Sequence, residues 1–162
     1  MTTTRFVLTP GAAENPTSAY PGLTLVNFRP ALAFDDTTPE TCQWTVAAPQ
    51  GLTGTMTAVV TYIMASATSG TVEFEVSVEA VTDGDSTDLD AGDSFDSINT
   101  GSETVPGTAG YMSQIAVTLT NQDSIAAGDY VRVKLSRDAD DGTNDTATGD
   151  CYVLAVEIRD AA

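Results

Sequence analysis

Histidine is absent from the 162-residue sequence, and basic residues, cysteine and tryptophan are scarce. Without histidine, Ser-His-Asp and Cys-His catalysis and most zinc and iron sites are excluded. The two cysteines, Cys42 and Cys151, lack the Cys-x-x-Cys spacing of zinc and redox motifs. Only carboxylate, tyrosine or hydroxyl chemistry remains for catalysis, and we therefore expect a protein that is not an enzyme.

Positive charge is low relative to negative charge. Six Lys and Arg residues stand against 23 Asp and Glu residues, which gives a formal net charge of −17. Such a surface repels phosphate backbones and anionic lipids, so we expect no nucleic acid and no membrane as partner. No apolar run reaches the length of a membrane span, and no apolar segment resembling a signal peptide precedes Pro10. We therefore expect synthesis in a cytoplasm.

Hydrophobic residues alternate with polar ones from residue 31 onward. In residues 71–81, for example, valines and Phe74 alternate with threonine, serine and glutamate, the period of a half-buried strand. Turn signals with glycine or proline separate such segments. The pattern predicts an all-β domain over residues 31–162, an eight-stranded antiparallel jelly-roll β-sandwich, with strands at 31–34, 41–47, 53–64, 71–81, 98–105, 111–120, 129–137 and 151–159.

Residues 1–30 contain four of the seven prolines, which excludes a helix or a central strand there. We expect an extended N-terminal arm with short strands at 5–8 and 23–28. The jelly-roll order predicts two sheets, 41–47/129–137/71–81/98–105 and 31–34/151–159/53–64/111–120. Strands 71–81 and 129–137 are then neighbours, so that an acidic stripe shares an outer face with two basic residues: Glu73, Glu75 and Glu79 with Arg132 and Lys134.

Two acidic loops are candidates for binding. Residues 138–145 combine five Asp and Asn residues with Gly142, a composition suited to calcium. The match to an EF-hand loop is partial, because Gly142 is fifth rather than sixth and Gly149 stands twelfth. Residues 83–96 contain six aspartates and form a second surface loop. Solvated turns are the favoured explanation of both loops; calcium remains possible, and no metal ligand is assigned.

A glycosidase-type carboxylate pair is the remaining catalytic option. Nothing in the sequence singles out one pair, and the lone tryptophan, Trp44, is predicted to point inward. We therefore assign no catalytic and no cofactor-binding residue. Cys42 is predicted to point inward and Cys151 outward, in different sheets. That arrangement disfavours a disulfide bond between the two cysteines, so we expect two free thiols.

The segment 53–64 is apolar on both faces. Val59 and Ile63 lie on one side, and Val60 and Tyr62 on the other. A strand that is apolar on both sides is covered on both sides. The cover of the outer face is either the N-terminal arm or a neighbouring subunit.

Several turns and strand edges resemble a family of small jelly-roll structural proteins of tailed bacteriophages and prophages. The similarity extends over residues 29–160. It rests on Arg29–Thr38 (RPALAFDDTT), Ala65–Gly70 (ASATSG), Ala127–Asp129 (AGD), Ser136–Asp141 (SRDADD), Thr148–Asp150 (TGD) and Ala155–Arg159 (AVEIR).

This resemblance implies a virion component without catalytic residues. Such proteins act as capsid cement or decoration proteins, mostly trimeric, that bridge capsomers, while others of similar fold belong to tails or fibres. We therefore expect a homotrimer on the particle surface, made in the host cytoplasm, with the major capsid protein as partner. The alternative is a tail- or fibre-borne module that binds a receptor or a carbohydrate.

Overall fold

Every long alternating segment of the sequence forms a β-strand in the computed structural model, which describes residues 2–160. These residues contain no α-helix and a short 3₁₀ turn at Pro10–Ala12. None of their helical segments is long and apolar enough to cross a membrane. The strands are β1 (Thr4–Leu8), β2 (Gly22–Val26), β3 (Arg29–Phe34), β4 (Glu40–Ala47), β5 (Met56–Met64), β6 (Thr71–Val81), β7 (Asn99–Thr104), β8 (Ser113–Leu119), β9 (Tyr130–Arg137) and β10 (Cys151–Asp160).

Two antiparallel sheets form a jelly-roll sandwich, as predicted. The four-stranded sheet has the order β4-β9-β6-β7, and the six-stranded sheet has the order β2-β3-β10-β5-β8, with β1 also paired to β10. The order of the eight domain strands is the predicted one.

Residues 2–160 hold ten strands, because the short strands predicted in the arm at 5–8 and 23–28 form β1 and β2. The predicted eight-stranded sandwich is wrong in this count, since both arm strands join its six-stranded sheet. Strand β3 pairs with β10 only at residues 151–153, and β1 pairs with β10 at residues 156–159. The arm thus completes an edge that the short β3 leaves open, and β2 extends the sheet beyond β3.

The core lies between the two sheets. Phe74 of β6 makes edge-to-face contacts with Phe34 and Tyr62, at ring-centroid distances of 5.6 and 6.4 Å. Trp44 is buried, as predicted, and its Nε1 donates a hydrogen bond of 2.9 Å to the carbonyl oxygen of Thr9. The arm therefore satisfies the one polar atom of the largest core side chain.

The predicted outward orientation of Cys151 is wrong. A β-bulge between Val153 and Ala155 shifts the register of β10 against β5. An inserted residue reverses the alternation, so Cys151 and Val153 are buried before the bulge and Val156 after it. Within residues 2–160, Cys42 and Cys151 are both buried free thiols.

The predicted charge pairing between β6 and β9 is partly confirmed. Glu79 lies opposite Arg132 in the register, and their side chains form an ion pair of 2.9 Å. Glu75 lies diagonal to Lys134, which is opposite Ser77. Glu73 has the same parity in β6 as Glu75 and Glu79 but lies beyond the pairing with β9. Because Phe74 pairs with the last residue of β9, Glu73 lies beside the loop that follows β9.

Candidate functional site

An apolar groove lies on the outer face of the six-stranded sheet. It measures about 400 Å³ and is lined by Val26, Asn27, Arg29, Ile63, Gly110, Met112 and Leu154. Met112 is exposed, and Ile63 and Leu154 are half-buried. The arm does not cover this face, because β1 and β2 join the sheet edge to edge. This apolar groove stays open to solvent in the single chain.

The β2–β3 hairpin, which lines the apolar groove with Val26, Asn27 and Arg29, also carries an exposed phenylalanine in its turn. Val26 pairs with Arg29, so the loop consists of Asn27 and Phe28. Both have positive φ, 46° and 66°, as a two-residue turn of this kind requires. Asparagine suits that conformation, whereas a bulky residue is an outlier there. Phe28 is nevertheless 90% exposed, so the turn holds a large apolar side chain in water at a conformational cost.

The charges around the apolar groove differ from those of the whole chain. Among the described residues that line it, Arg29 is charged and no acidic side chain occurs. The guanidinium of Arg29 donates a hydrogen bond of 3.2 Å to the carbonyl oxygen of Asn27 in the hairpin. A surface free of carboxylates is unusual on a chain with 23 of them.

The C-terminal end of the acidic loop 83–96 lies against the outer face of the four-stranded sheet. Ser94 donates two hydrogen bonds to Glu79, through its backbone N (2.7 Å) and its Oγ (2.8 Å). The ring of Phe95 lies 4.1 Å from Lys134 Nζ and 4.9 Å from Arg132 Cζ. Residues 83–92 are exposed. This loop is thus anchored at one end by the basic residues of β9.

A second groove, of about 410 Å³, lies between this loop and the arm. Its lining is mainly polar and includes Glu14, Gln43, Thr45, Asp93, Tyr130 and Arg132. The arm is fixed here by paired backbone hydrogen bonds between Glu14 and Gln43, of 2.7 and 3.0 Å.

The other acidic loop, 138–145, contributes to a carboxylate cluster with β6. One carboxylate oxygen each from Glu73, Asp138 and Asp141 lies within 4.8 Å of the others. Burial, together with nearby Asp140 and Glu75, raises the pKa of Asp138 to about 6. Burial also raises the pKa of Glu73, whereas hydrogen bonds from the backbone amides of residues 143 and 144 lower that of Asp141.

The structure keeps the two acidic loops apart. Loop 83–96 contacts β6 at Glu79, and loop 138–145 contacts it at Glu73. Six residues of extended strand separate these points by about 20 Å. The loops therefore form two separate sites.

Sequence reasoning missed a buried ion pair. Arg137 is fully buried, and its guanidinium bonds both carboxylate oxygens of Asp145 at 2.8 and 2.9 Å. The signal was present in the alternation of β9, because Arg137 shares the parity of the buried Val133 and Leu135. Its partner could not be read from the sequence, because it lies in an irregular loop.

Comparison with known proteins yields no family. No family model matches the chain, and no curated protein matches it significantly. Among solved structures, CBM35 from Cellvibrio japonicus Abf62 is similar at 12% identity and a TM-score of 0.45, covering 96% of this chain and 86% of that one. A carbohydrate-binding module specific for non-crystalline cellulose, CBM28, is similar at 8% identity and a TM-score of 0.45, covering 93% and 89%. At these values the similarity assigns no ligand to this chain.

Proposed function

We propose that this chain is a virion structural protein, a capsid cement or decoration protein that forms a homotrimer and bridges capsomers of the major capsid protein. The observation that carries the proposal is the open apolar groove, together with the exposed Phe28 in the hairpin that lines it. The resemblance of residues 29–160 to small phage structural proteins supports the same role. Its place would be the particle surface.

Electrostatics restrict where copies of this chain can meet. With a net charge of −17, two copies repel each other over most of their surfaces. The apolar groove lacks carboxylates in its described lining, so contact there brings no carboxylates of the two copies together. We therefore assign the apolar groove to the contact between copies and with the shell.

The expected free energy of association is typical of a protein that binds through many repeated contacts. Burying an exposed Leu, Ile, Met or Phe side chain contributes about 1.5–3 kcal/mol. Burial of four such side chains contributes at most about 6–12 kcal/mol to the free energy of association. The loss of translational and rotational freedom when two molecules associate costs about 4–15 kcal/mol. A single contact is therefore weak. Repeated contacts on a trimer and a regular shell raise the effective affinity without new chemistry.

Light scattering and co-sedimentation with mature capsids test the proposal. We expect a trimer that binds capsids. The informative variant is Phe28→Gly, because glycine adopts the positive φ of this turn without strain. It should weaken association while its melting temperature stays the same or rises. Leu89→Gly removes an exposed apolar side chain from loop 83–96 without changing the charge and is the matched control, which should associate normally. A monomeric wild-type chain that fails to bind capsids contradicts the proposal.

The second candidate is a tail- or fibre-borne module that binds a receptor or a carbohydrate. The groove between loop 83–96 and the arm favours it, because Tyr130 is an exposed aromatic among polar partners such as Gln43 and Arg132. Sugars are bound by such combinations of a ring face and hydrogen-bonding groups. Under this candidate, Tyr130→Ala lowers binding on a glycan array, and Phe28→Gly does not. A chain that binds no glycan and whose capsid association is weakened by Phe28→Gly favours the capsid role.

A further inference from the structure

We propose that Glu73, Asp138 and Asp141 bind a hard divalent cation, calcium foremost, that clamps the loop after β9 onto strand β6. The inference is independent of the virion role. It concerns a site on the four-stranded sheet, whereas the apolar groove lies on the other sheet.

The three carboxylates are close enough to share one ion. Calcium lies about 2.3–2.6 Å from each ligand oxygen, so two oxygens on one ion are at most about 5.2 Å apart. The carboxylate oxygens of Glu73, Asp138 and Asp141 all lie within 4.8 Å of one another. Three carboxylates supply up to about six oxygens, within the calcium range of 6–8 once water is added.

The buried oxygen of Glu73 is the second, independent observation. Glu73 is 7% exposed, and its Oε2 is buried without a hydrogen-bond partner among residues 2–160. An unpartnered buried carboxylate is costly and is normally neutralised by a proton or a cation. Because a Glu73 oxygen belongs to the cluster with Asp138 and Asp141, a cation between the three groups would satisfy it.

The loop is already held in the geometry that such a site needs. Asp138 N donates to the carbonyl oxygen of Glu73 at 3.2 Å. Asp145 accepts from the backbone N of Glu73 at 3.2 Å while it is paired with buried Arg137. Asp141 Oδ1 accepts from the backbone N of Thr143 at 2.8 Å. These contacts fix both ends of the ligand set, so little loop entropy is lost on binding.

A second acidic cluster contains no buried carboxylate oxygen without a hydrogen-bond partner among residues 2–160. Asp35, Asp36 and Asp150 also have carboxylate oxygens within 4.8 Å of one another. Asp35 Oδ1 accepts from the backbone N atoms of residues 37 and 38, at 2.7 and 2.9 Å, just as Asp141 Oδ1 accepts from the backbone N atoms of residues 143 and 144. The unpartnered oxygen of Glu73 is therefore what distinguishes the two clusters, and the second cluster provides a matched control.

A proton is the competing occupant of the Glu73 site, because protonation also removes the charge of a buried carboxylate. Direct titration with calcium distinguishes the two occupants.

The experiment measures melting temperature and calorimetric binding on the chelator-treated 162-residue chain, titrated with CaCl₂ and separately with MgCl₂ at pH 7.5. At a hundredfold excess over Kd, calcium should raise the melting temperature by about 5–10 °C. Magnesium should act more weakly, because it demands near-octahedral geometry.

Variants separate this site from general charge screening. Glu73→Gln should lose the calcium response, and Asp138→Asn, a more exposed change that spares the buried position, should lose it as well. Asp150→Asn should keep it. A wild-type protein that shows neither a calcium shift nor binding heat holds protons instead, and this overturns the proposal. So does a calcium shift that survives in Asp138→Asn, or one that disappears in Asp150→Asn.

Discussion

Replacing Asp145 with asparagine tests the buried ion pair that holds the loop after β9. Arg137 is fully buried, and every N–H of its guanidinium has an acceptor. The acceptors are the two carboxylate oxygens of Asp145 and the carbonyl oxygens of Phe34, Ala147 and Gly149, at 2.8–3.4 Å. The pair thus joins β9, the end of β3 and both sides of the loop.

The expected loss is large, because the substitution leaves the Arg137 charge buried without a counter-charge. Removing one partner of a buried pair costs about 3–5 kcal/mol. For a domain of this size, that lowers the melting temperature by about 6–20 °C. Total stabilities of about 5–15 kcal/mol leave a folded but weakened protein. Arg137→Met should cost at least as much, because the carbonyl oxygens of Ala147 and Gly149 then lose their donors.

Urea unfolding at pH 7 followed by tryptophan fluorescence measures this loss, because Trp44 is buried in the same sheet. Asp83→Asn is the matched control. It makes the same chemical change at an exposed position and should shift the free energy of unfolding by less than about 0.5 kcal/mol. If Asp145→Asn lowers the free energy of unfolding by less than about 1 kcal/mol, the ion pair does not lie in a low-dielectric core. That result would refute the reasoning.

Three further predictions follow from burial and packing. Without divalent cations, the raised pKa of Asp138, about 6, means that its protonated form stabilises the fold. That contribution is complete below about pH 4 and is lost as the pH rises through 6, so Asp138→Asn should flatten the urea-measured pH dependence between these values. Gly101→Ala places a Cβ 2.9 Å from Val117 Cγ2 and should cost about 1–3 kcal/mol in thermal unfolding; an unchanged melting temperature would contradict the packing. Burial raises the pKa of the Cys42 and Cys151 thiols, so Ellman's reagent should label both at the rate of unfolding, and rapid labelling of the native protein would show that they are accessible.

The strand order was predictable because short-range patterns carry most of it. The alternation in Thr71–Val81 and Tyr130–Arg137 shows which residues share a face. Glycine and proline turns separate the strands, and the jelly-roll connection rule then leaves few orders. The ion pair between Glu79 and Arg132 followed from that order.

The exceptions all depend on contacts between distant parts of the chain. The bulge at Val153 and Ala155 reverses the alternation, and only the pairing with β5 reveals it. Strand β1 forms because half of the β10 edge is free. The residues that lie beside Glu73 depend on where β9 ends. The register of β9 against β6 determines that position.

By itself, the sequence determined an all-β sandwich, its strand order, its acidity and its lack of histidine. Acidity and the lack of histidine are totals over the sequence, and the strands follow from the alternation of neighbouring residues. These properties do not depend on contacts between distant parts of the chain. Only the tertiary structure decided that the arm joins the sheet and leaves the apolar groove open, that Phe28 is exposed in the turn of the hairpin, and that Glu73 lies close to Asp138 and Asp141. Burial and proximity of residues far apart in the chain depend on the whole packing, so the candidate sites emerge only when the chain is folded.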